Sequence, residues 1–174
     1  MRIFLSVILF LFTAFQSANA GGIPGALAGI LSTLNLEIQG KVIRVLDGDT
    51  IEVLQDKQDK KPVRIRLANI DAPEKKQAFG CWSANQLKAL LAAQPVTVTY
   101  TQRDRYGRII GRVFTTNGTD ASRFMVKSGA AWVYERYNAD ESLPALQREA
   151  QEQKRGLWAD SNPVPPWEWR HKQN

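Results

Sequence analysis

The amino-acid sequence predicts an α+β domain: a small, partly open barrel of five short strands with about three helices packed against it. Three observations carry that expectation. Apolar and polar residues alternate with a period of two in several short runs between residues 34 and 115, the pattern of strands with one buried face. One stretch with a helical apolar stripe interrupts those runs, and two more helical stretches follow them. The length of 174 residues, 44% of them hydrophobic, suits one domain with appendages and excludes a disordered chain.

The chain opens with Met1 and Arg2, then the apolar run Ile3 to Phe15, broken only by Ser6 and Thr13, then Ala18-Asn19-Ala20. The run is shorter than the ~20 residues that span a bilayer, and small residues follow it, so residues 1–20 read as a secretory signal peptide cut after Ala20. An uncleaved membrane anchor is the alternative. Gly21 to Thr33 carries no charge and too much Gly and Pro for a firm helix, and reads as a leader. The domain is expected over residues 34–160.

Leu34, Leu36 and Ile38 alternate with polar residues; after Gly40, Val42 to Leu46 and Ile51 to Leu54 read as strands flanking a turn at Asp47-Gly48. Val63, Ile65 and Leu67 alternate with Arg64, Arg66 and Ala68, a third strand with both arginines on one face, and Gln55 to Lys61 is the loop before it. Pro73 in Asp71-Ala72-Pro73-Glu74 has no N–H for a ladder and ends the run. Ser83 to Ala93 fits a helix, with Ala84, Leu87 and Leu91 on one stripe. Val96, Val98 and Tyr100 and then Arg108 to Thr115 give two more strands, and Asn117-Gly118 marks a turn. Helices are expected over Ala121 to Ser128, closed by Gly129, and from Ser142 to Arg155, with Pro144 in the first turn and Gly156 closing it. Residues 161–174 read as a Pro/Trp-rich tail outside the core, with Trp167 and Trp169 packed on the domain or disordered, and a clamp onto a partner as the alternative. Such an arrangement is a five-stranded OB-fold barrel with packed helices.

Composition removes much chemistry. Cys81 and His171 are the only residues of their kinds, so a four-ligand zinc site is excluded, and a nucleophile activated by His would need a residue four from the C-terminus. Catalysis is left to carboxylates, arginines, tyrosines or a hard metal ion. Without residues 1–20 the chain keeps 22 Lys and Arg against 17 Asp and Glu, a net charge of +5. A basic exported protein meets nucleic acid, anionic lipid or acidic polysaccharide. One Cys permits no intrachain disulfide, and Cys81, beside Trp82 at a helix start, reads as a small buried apolar residue, with an intermolecular disulfide as the alternative. Asn117-Gly118-Thr119 matches a glycosylation acceptor but reads as a hairpin turn.

Asp49, Asp71 and Glu74 each stand beside a turn. If the strands before them are neighbours, Asp49 and Asp71 converge at one end of the sheet, where crowded carboxylates repel unless a cation sits between them; a hard divalent ion, calcium for preference, suits such oxygens. Arg64 and Arg66 share a strand face, and Arg103, Arg105 and Arg108 crowd one segment around Tyr106. A guanidinium fork matches two phosphate oxygens, and an aromatic can stack on a base. Solvated caps and a solvated basic loop are the plain alternatives for these acids and arginines. Together the groups suit phosphodiester chemistry better than sugar or lipid binding.

Four motifs in order, Val45-Leu46-Asp47-Gly48-Asp49-Thr50-Ile51, Arg64-Ile65-Arg66-Leu67 with Ile70-Asp71-Ala72-Pro73-Glu74, Asp104-Arg105-Tyr106-Gly107-Arg108, and Gly156-Leu157-Trp158, resemble the staphylococcal thermonuclease family over about residues 38 to 160. The resemblance implies a five-stranded barrel with three helices and calcium-dependent hydrolysis of DNA and RNA leaving 3′-phosphates. It implies metal ligands at Asp49, Asp71 and the Ala72 carbonyl, phosphate contacts from Arg66 and Arg108, and Glu74 as the acid that positions or activates water. Arg105 and Tyr106 fall in its substrate-contact segment, and Trp132 and Tyr134 where it places aromatics near the nucleotide. Ala72 departs from the familiar Thr, so a carbonyl ligand survives but a hydroxyl does not. The expected product of the gene is a monomeric nuclease of the periplasm or medium, with DNA and RNA as its partners and no stable membrane insertion after cleavage. A noncatalytic nucleic-acid-binding module on the same barrel, or an envelope protein binding acidic glycans or lipids, are the alternatives.

Overall fold

The computed structural model describes residues 36–56 and 61–173; the expected signal peptide and leader lie outside the described residues. Five strands close a barrel: β1 (Leu36–Val45), β2 (Thr50–Gln55), β3 (Pro62–Leu67), β5 (Pro95–Arg103) and β6 (Ile109–Thr115), in the order β1-β2-β3-β6-β5. The barrel is closed rather than partly open because β3 and β6 pair in parallel, Ile65 to Leu67 against Ile109 to Gly111, while its other pairs are antiparallel. Two further short strands, β4 (Ile70–Asp71) and β7 (Trp132–Val133), form a separate antiparallel ribbon. Neither was legible as a strand, since two residues carry no periodicity.

Alternation along the strands turns Val42, Ile51, Val53, Ile65, Leu67, Val98, Ile109 and Val113 into one buried core. Removing each Leu or Ile from water stabilises the fold by roughly 1.5–3 kcal/mol. The break expected at Gly40 is instead the middle of one continuous strand. Gly40 pairs with Gln55 of β2 and Val96 of β5 at once, and a Cβ there would stand 2.3 Å from the Leu54 carbonyl oxygen. Only glycine permits that approach at the corner where β1 passes from one partner to the other.

Four α-helices pack outside the barrel among the described residues: α1 (Gly80–Leu91), α2 (Ala121–Lys127), α3 (Leu143–Glu152) and α4 (Pro166–Gln173). Helix α1 begins three residues before the expected Ser83, following Phe79 at φ 63°. That early start puts Gly80, Ser83, Leu87 and Leu91 on the buried stripe and turns Cys81 outward, so the expectation of a buried Cys81 is corrected: its side chain is exposed. Helix α2 is capped by the Asp120 carboxylate, which accepts from the Ser122 and Arg123 N–H groups, and Gly129 follows it at φ 72°. Helix α3 stops at Glu152, short of Arg155, because Lys154 takes φ 50°.

The tail holds a helix that its local pattern did not reveal. Pro166 begins α4, where a missing N–H costs nothing, and is itself buried. Trp167 packs edge-on to Trp132 at 5.7 Å and lies parallel to Tyr134 at 5.7 Å. The tail is therefore a helix seated on the domain.

A charged network ties the β6 side to α2 and α3. Arg112 Nη2 lies 2.7 Å from Asp120 Oδ2, Arg123 Nε donates to Asp140 Oδ2 at 2.9 Å, and Asp140 Oδ1 accepts from the Ser142 N–H at 3.0 Å. The Arg123 hydrogen bond holds the Asp140 carboxyl well below the usual carboxylate range, against the opposing effect of burial.

Two consequences are measurable. Gly40→Ala is expected to destabilise the protein by about 1–3 kcal/mol, as overpacking against fixed backbone does, read from the midpoint of urea unfolding. Because the folded Asp140 is the more acidic, its stabilisation is complete above the ordinary carboxylate value of about 3.9 and is lost as pH falls through the lower folded value. Asp140→Asn is expected to cost about 1 kcal/mol near neutrality, after discounting for the half-exposed Arg123. That difference should shrink steadily below about pH 4; a difference constant with pH would show that the charge on Asp140 contributes nothing.

Candidate active site

The turn between β1 and β2 is built by its own acids. Asp47 Oδ1 accepts from the Asp49 N–H at 3.1 Å, and the Leu46 N–H closes onto the Thr50 carbonyl at 2.8 Å. Asp49 then points across the barrel end: Oδ1 accepts from Thr50 Oγ1 at 2.8 Å and Oδ2 from the Ala72 N–H at 3.0 Å. Residues 23 apart in sequence are joined by that last bond. Asp71 is brought to the same place by β4, which pairs with Trp132 of β7. Both acids are buried, Asp71 to 1% exposure.

Arg66 of β3 lies between them. Its Nη2 donates to Asp71 Oδ1 at 2.9 Å and stands 3.5 Å from Asp49 Oδ2, while Nη1 donates to the Leu67 and Ile70 carbonyls at 3.0 and 2.9 Å. Burial opposes its charge, but Asp49 and Asp71 outweigh burial and hold the guanidinium more firmly protonated than usual. Arg64, on the same strand face, pairs with Glu52 at 3.1 Å on the exposed rim and takes no part.

Asp49, Arg66, Asp71, Ala72, Glu74, Arg105, Tyr106, Arg108 and Tyr134 all line one open groove of about 1460 Å³. Arg108 donates from Nε to Asp104 Oδ2 at 2.7 Å and lies over the Tyr106 ring at 5.6 Å, with Arg105 over the same ring at 4.9 Å. Tyr106 is 69% exposed, a ring open to a ligand. Tyr134 has the Arg66 guanidinium 6.0 Å from its ring centroid. Trp132 does not line the groove; its ring packs on Trp158 at 4.3 Å and on Trp167. Arg103 donates to the Gly107 carbonyl at 3.1 Å and supports the turn.

Two groove residues went unread in the sequence. Burial first, and then the nearby Asp49 charge, push the Asp47 carboxyl up to about 6. Arg170 of α4 donates from Nη2 to Asp71 Oδ2 at 2.7 Å and from Nη1 to Glu74 Oε1 at 2.8 Å. The one available signal was an arginine directly following the tail's Trp-Glu-Trp.

The donor set suits a hard cation. Burial raises the Asp71 carboxyl and Asp49 raises it further, with Arg170 and Arg66 pulling the other way; such a cluster of carboxylates calls for positive charge. Among the described residues no three His, Cys, Asp or Glu side chains gather as a complete ligand set. Asp49 and Asp71 are oxygen donors of the kind that a hard cation accepts, and their oxygens here accept from Thr50, the Ala72 N–H, Arg66 and Arg170.

The groove gathers guanidinium groups for an anion, carboxylates for a cation or a proton, and exposed rings for a base. The family described as staphylococcal nuclease homologue matches residues 64–160, a stretch that begins at β3 and takes in Arg66, Asp71, Glu74 and Arg108. An uncharacterized endonuclease of Escherichia coli is 62% identical over 136 residues, covering 78% of this chain and 87% of the relative. A protein of Shigella flexneri named micrococcal nuclease is 42% identical over 144 residues, covering 77% of this chain and 81% of that one, and Protein ParB of Escherichia coli is 43% identical over 149 residues, covering 79% and 82%. Closed barrel, groove chemistry and these likenesses agree, and the chain belongs to the staphylococcal nuclease family.

Proposed function

We propose that this nuclease is exported and hydrolyses the phosphodiester bonds of DNA and RNA, using calcium and leaving 3′-phosphates. The observation that carries the reading is that Arg66, Glu74 and Arg108 line the same groove as Asp49 and Asp71, so an acid able to take a proton and two guanidinium groups face one volume. Nuclease chemistry itself is what the family and its relatives support. Export rests on the sequence alone, on the short apolar run before Ala18-Asn19-Ala20.

In the reaction, the guanidinium of Arg66 holds nonbridging oxygens of the scissile phosphate, and its partners Asp49 and Asp71 keep it charged. Arg108 swings from Asp104 to the same phosphate and meets charge that builds in the transition state, where preorganised donors contribute most. Glu74, half-exposed in the groove, takes a proton from the attacking water, and the bond from phosphorus to the 5′-oxygen breaks. Guanidinium groups hold their protons too firmly to donate, so water in the open groove protonates the leaving oxygen. Asp49, Asp71 and the Ala72 carbonyl would hold calcium, which when bound adds positive charge beside a phosphoryl oxygen. Tyr106 and Tyr134 stack on bases.

Three measurements test this. Glu74→Gln is expected to lower turnover about 10²- to 10⁴-fold while affinity for an oligonucleotide stays within a few-fold; turnover like that of the unaltered protein would remove Glu74 from the mechanism. Arg66→Lys and Arg108→Lys should each lose about 10²-fold or more, because a point charge does not reproduce a two-pronged donor. Plasmid degradation across a titration of calcium and chelator should rise with the ion and stop with its removal. Full cleavage in excess chelator would overturn the calcium assignment, and none at any calcium level would favour a noncatalytic binding module.

A further inference from the structure

We infer that Arg170, carried by the C-terminal helix, is a positioning residue for the reaction: it holds the Glu74 carboxylate against Asp71 in the orientation from which Glu74 acts on water. The inference rests on the role proposed for Glu74 and adds a part of the machinery that lies beyond residue 160, where the family match ends.

Glu74 stands on an irregular turn between β4 and α1, where secondary structure does little to fix a side chain. Its backbone N–H donates to Gln77 Oε1 at 3.1 Å, but its carboxylate has one side-chain partner among the described residues, Arg170, at 2.8 Å. The same Nη1 reaches Asp71 Oδ1 at 3.3 Å and Nη2 reaches Asp71 Oδ2 at 2.7 Å. One planar group thus spans two carboxylates three residues apart, and a guanidinium fork fixes distance and orientation together. Asp71 is buried and hydrogen-bonded to Arg66, so Arg170 references a half-exposed, otherwise unsupported acid to the rigid end of the barrel.

The helix bearing Arg170 is itself anchored. Gln77, 7% exposed, donates from Nε2 to the Val164 carbonyl at 2.6 Å, so the turn that carries Glu74 is tied to the tail a second time. Pro166 is buried, and Trp167 lies against Trp132 and Tyr134. The docked tail leaves the site accessible, since the Arg170 and Glu74 side chains remain 41% and 42% exposed and both line the open groove. That accessibility favours a supporting role over a plug.

The test is a double-mutant cycle on the full-length protein with an oligonucleotide substrate at saturating calcium. Arg170→Met keeps the aliphatic stem, and thermal unfolding verifies that the helix stays docked; Arg170→Lys is the conservative partner. Arg170→Met is expected to lower kcat about 10- to 100-fold with KM changed less than threefold, and Arg170→Lys to recover part of the loss. In a Glu74→Gln background the same substitution should cost less than about twofold, because the group it positions is gone. Equal losses in both backgrounds would show that Arg170 acts independently of Glu74, and a loss confined to KM would make it a substrate contact. A gain in activity would make the tail an inhibitory cover, and each of these three results overturns the inference. Should Arg170→Met unfold the tail, Arg170→Lys alone decides, by the same comparison across the two backgrounds. Near-normal activity of Glu74→Gln alone would instead defeat the proposed mechanism, a separate outcome.

Discussion

Everything at the active end of the barrel is arranged around one buried guanidinium. Arg66 sits between Asp49 and Asp71, at 3.5 and 2.9 Å, and its positive charge offsets part of the cost of burying both acids. Breaking a buried pair leaves an uncompensated charge and costs several kcal/mol, about 3–5 by precedent, so the chain is committed to keeping all three together. The same three groups line the open groove. Structural necessity and chemical capability thus coincide in one triad.

That arrangement follows from topology. Register pairs Arg66 with Thr50, the residue after Asp49, so strand pairing alone delivers the first acid to the arginine. The second arrives by the short ribbon of β4 and β7, and the residue after β7, Tyr134, reaches the same groove from more than 60 residues away in sequence. The Asp49 bond to the Ala72 N–H locks the two arrivals together. A buried carboxylate bonded to backbone is fixed in orientation as well as position, which is how a folded protein readies a site before its ligand comes.

The C-terminal helix adds a second guanidinium to the same acids. Arg66, Arg108 and Arg170 all line one groove, so several guanidinium groups stand among its acids within reach of one bound polyanion. Arg112, Arg123 and Asp140 continue along the groove wall, where each arginine is likewise matched by an acid.

Periodicity alone determined the five barrel strands and three helices, because alternation with period two and apolar stripes with period 3.6 are local properties. The residue types beside the turns determined the candidate chemistry, and the order of the four motifs pointed to the family. Other features could be decided only by the fold. A closed barrel depends on β3 meeting β6, the exposure of Cys81 on where a helix begins, and the unbroken β1 on what Gly40 touches, none of which is written in neighbouring residues. The ribbon of β4 and β7 was illegible because two-residue strands have no period. Arg170 was missed because a hydrogen bond between residues 96 apart leaves no trace in local pattern: sequence records which groups are present, whereas long-range packing decides which of them meet.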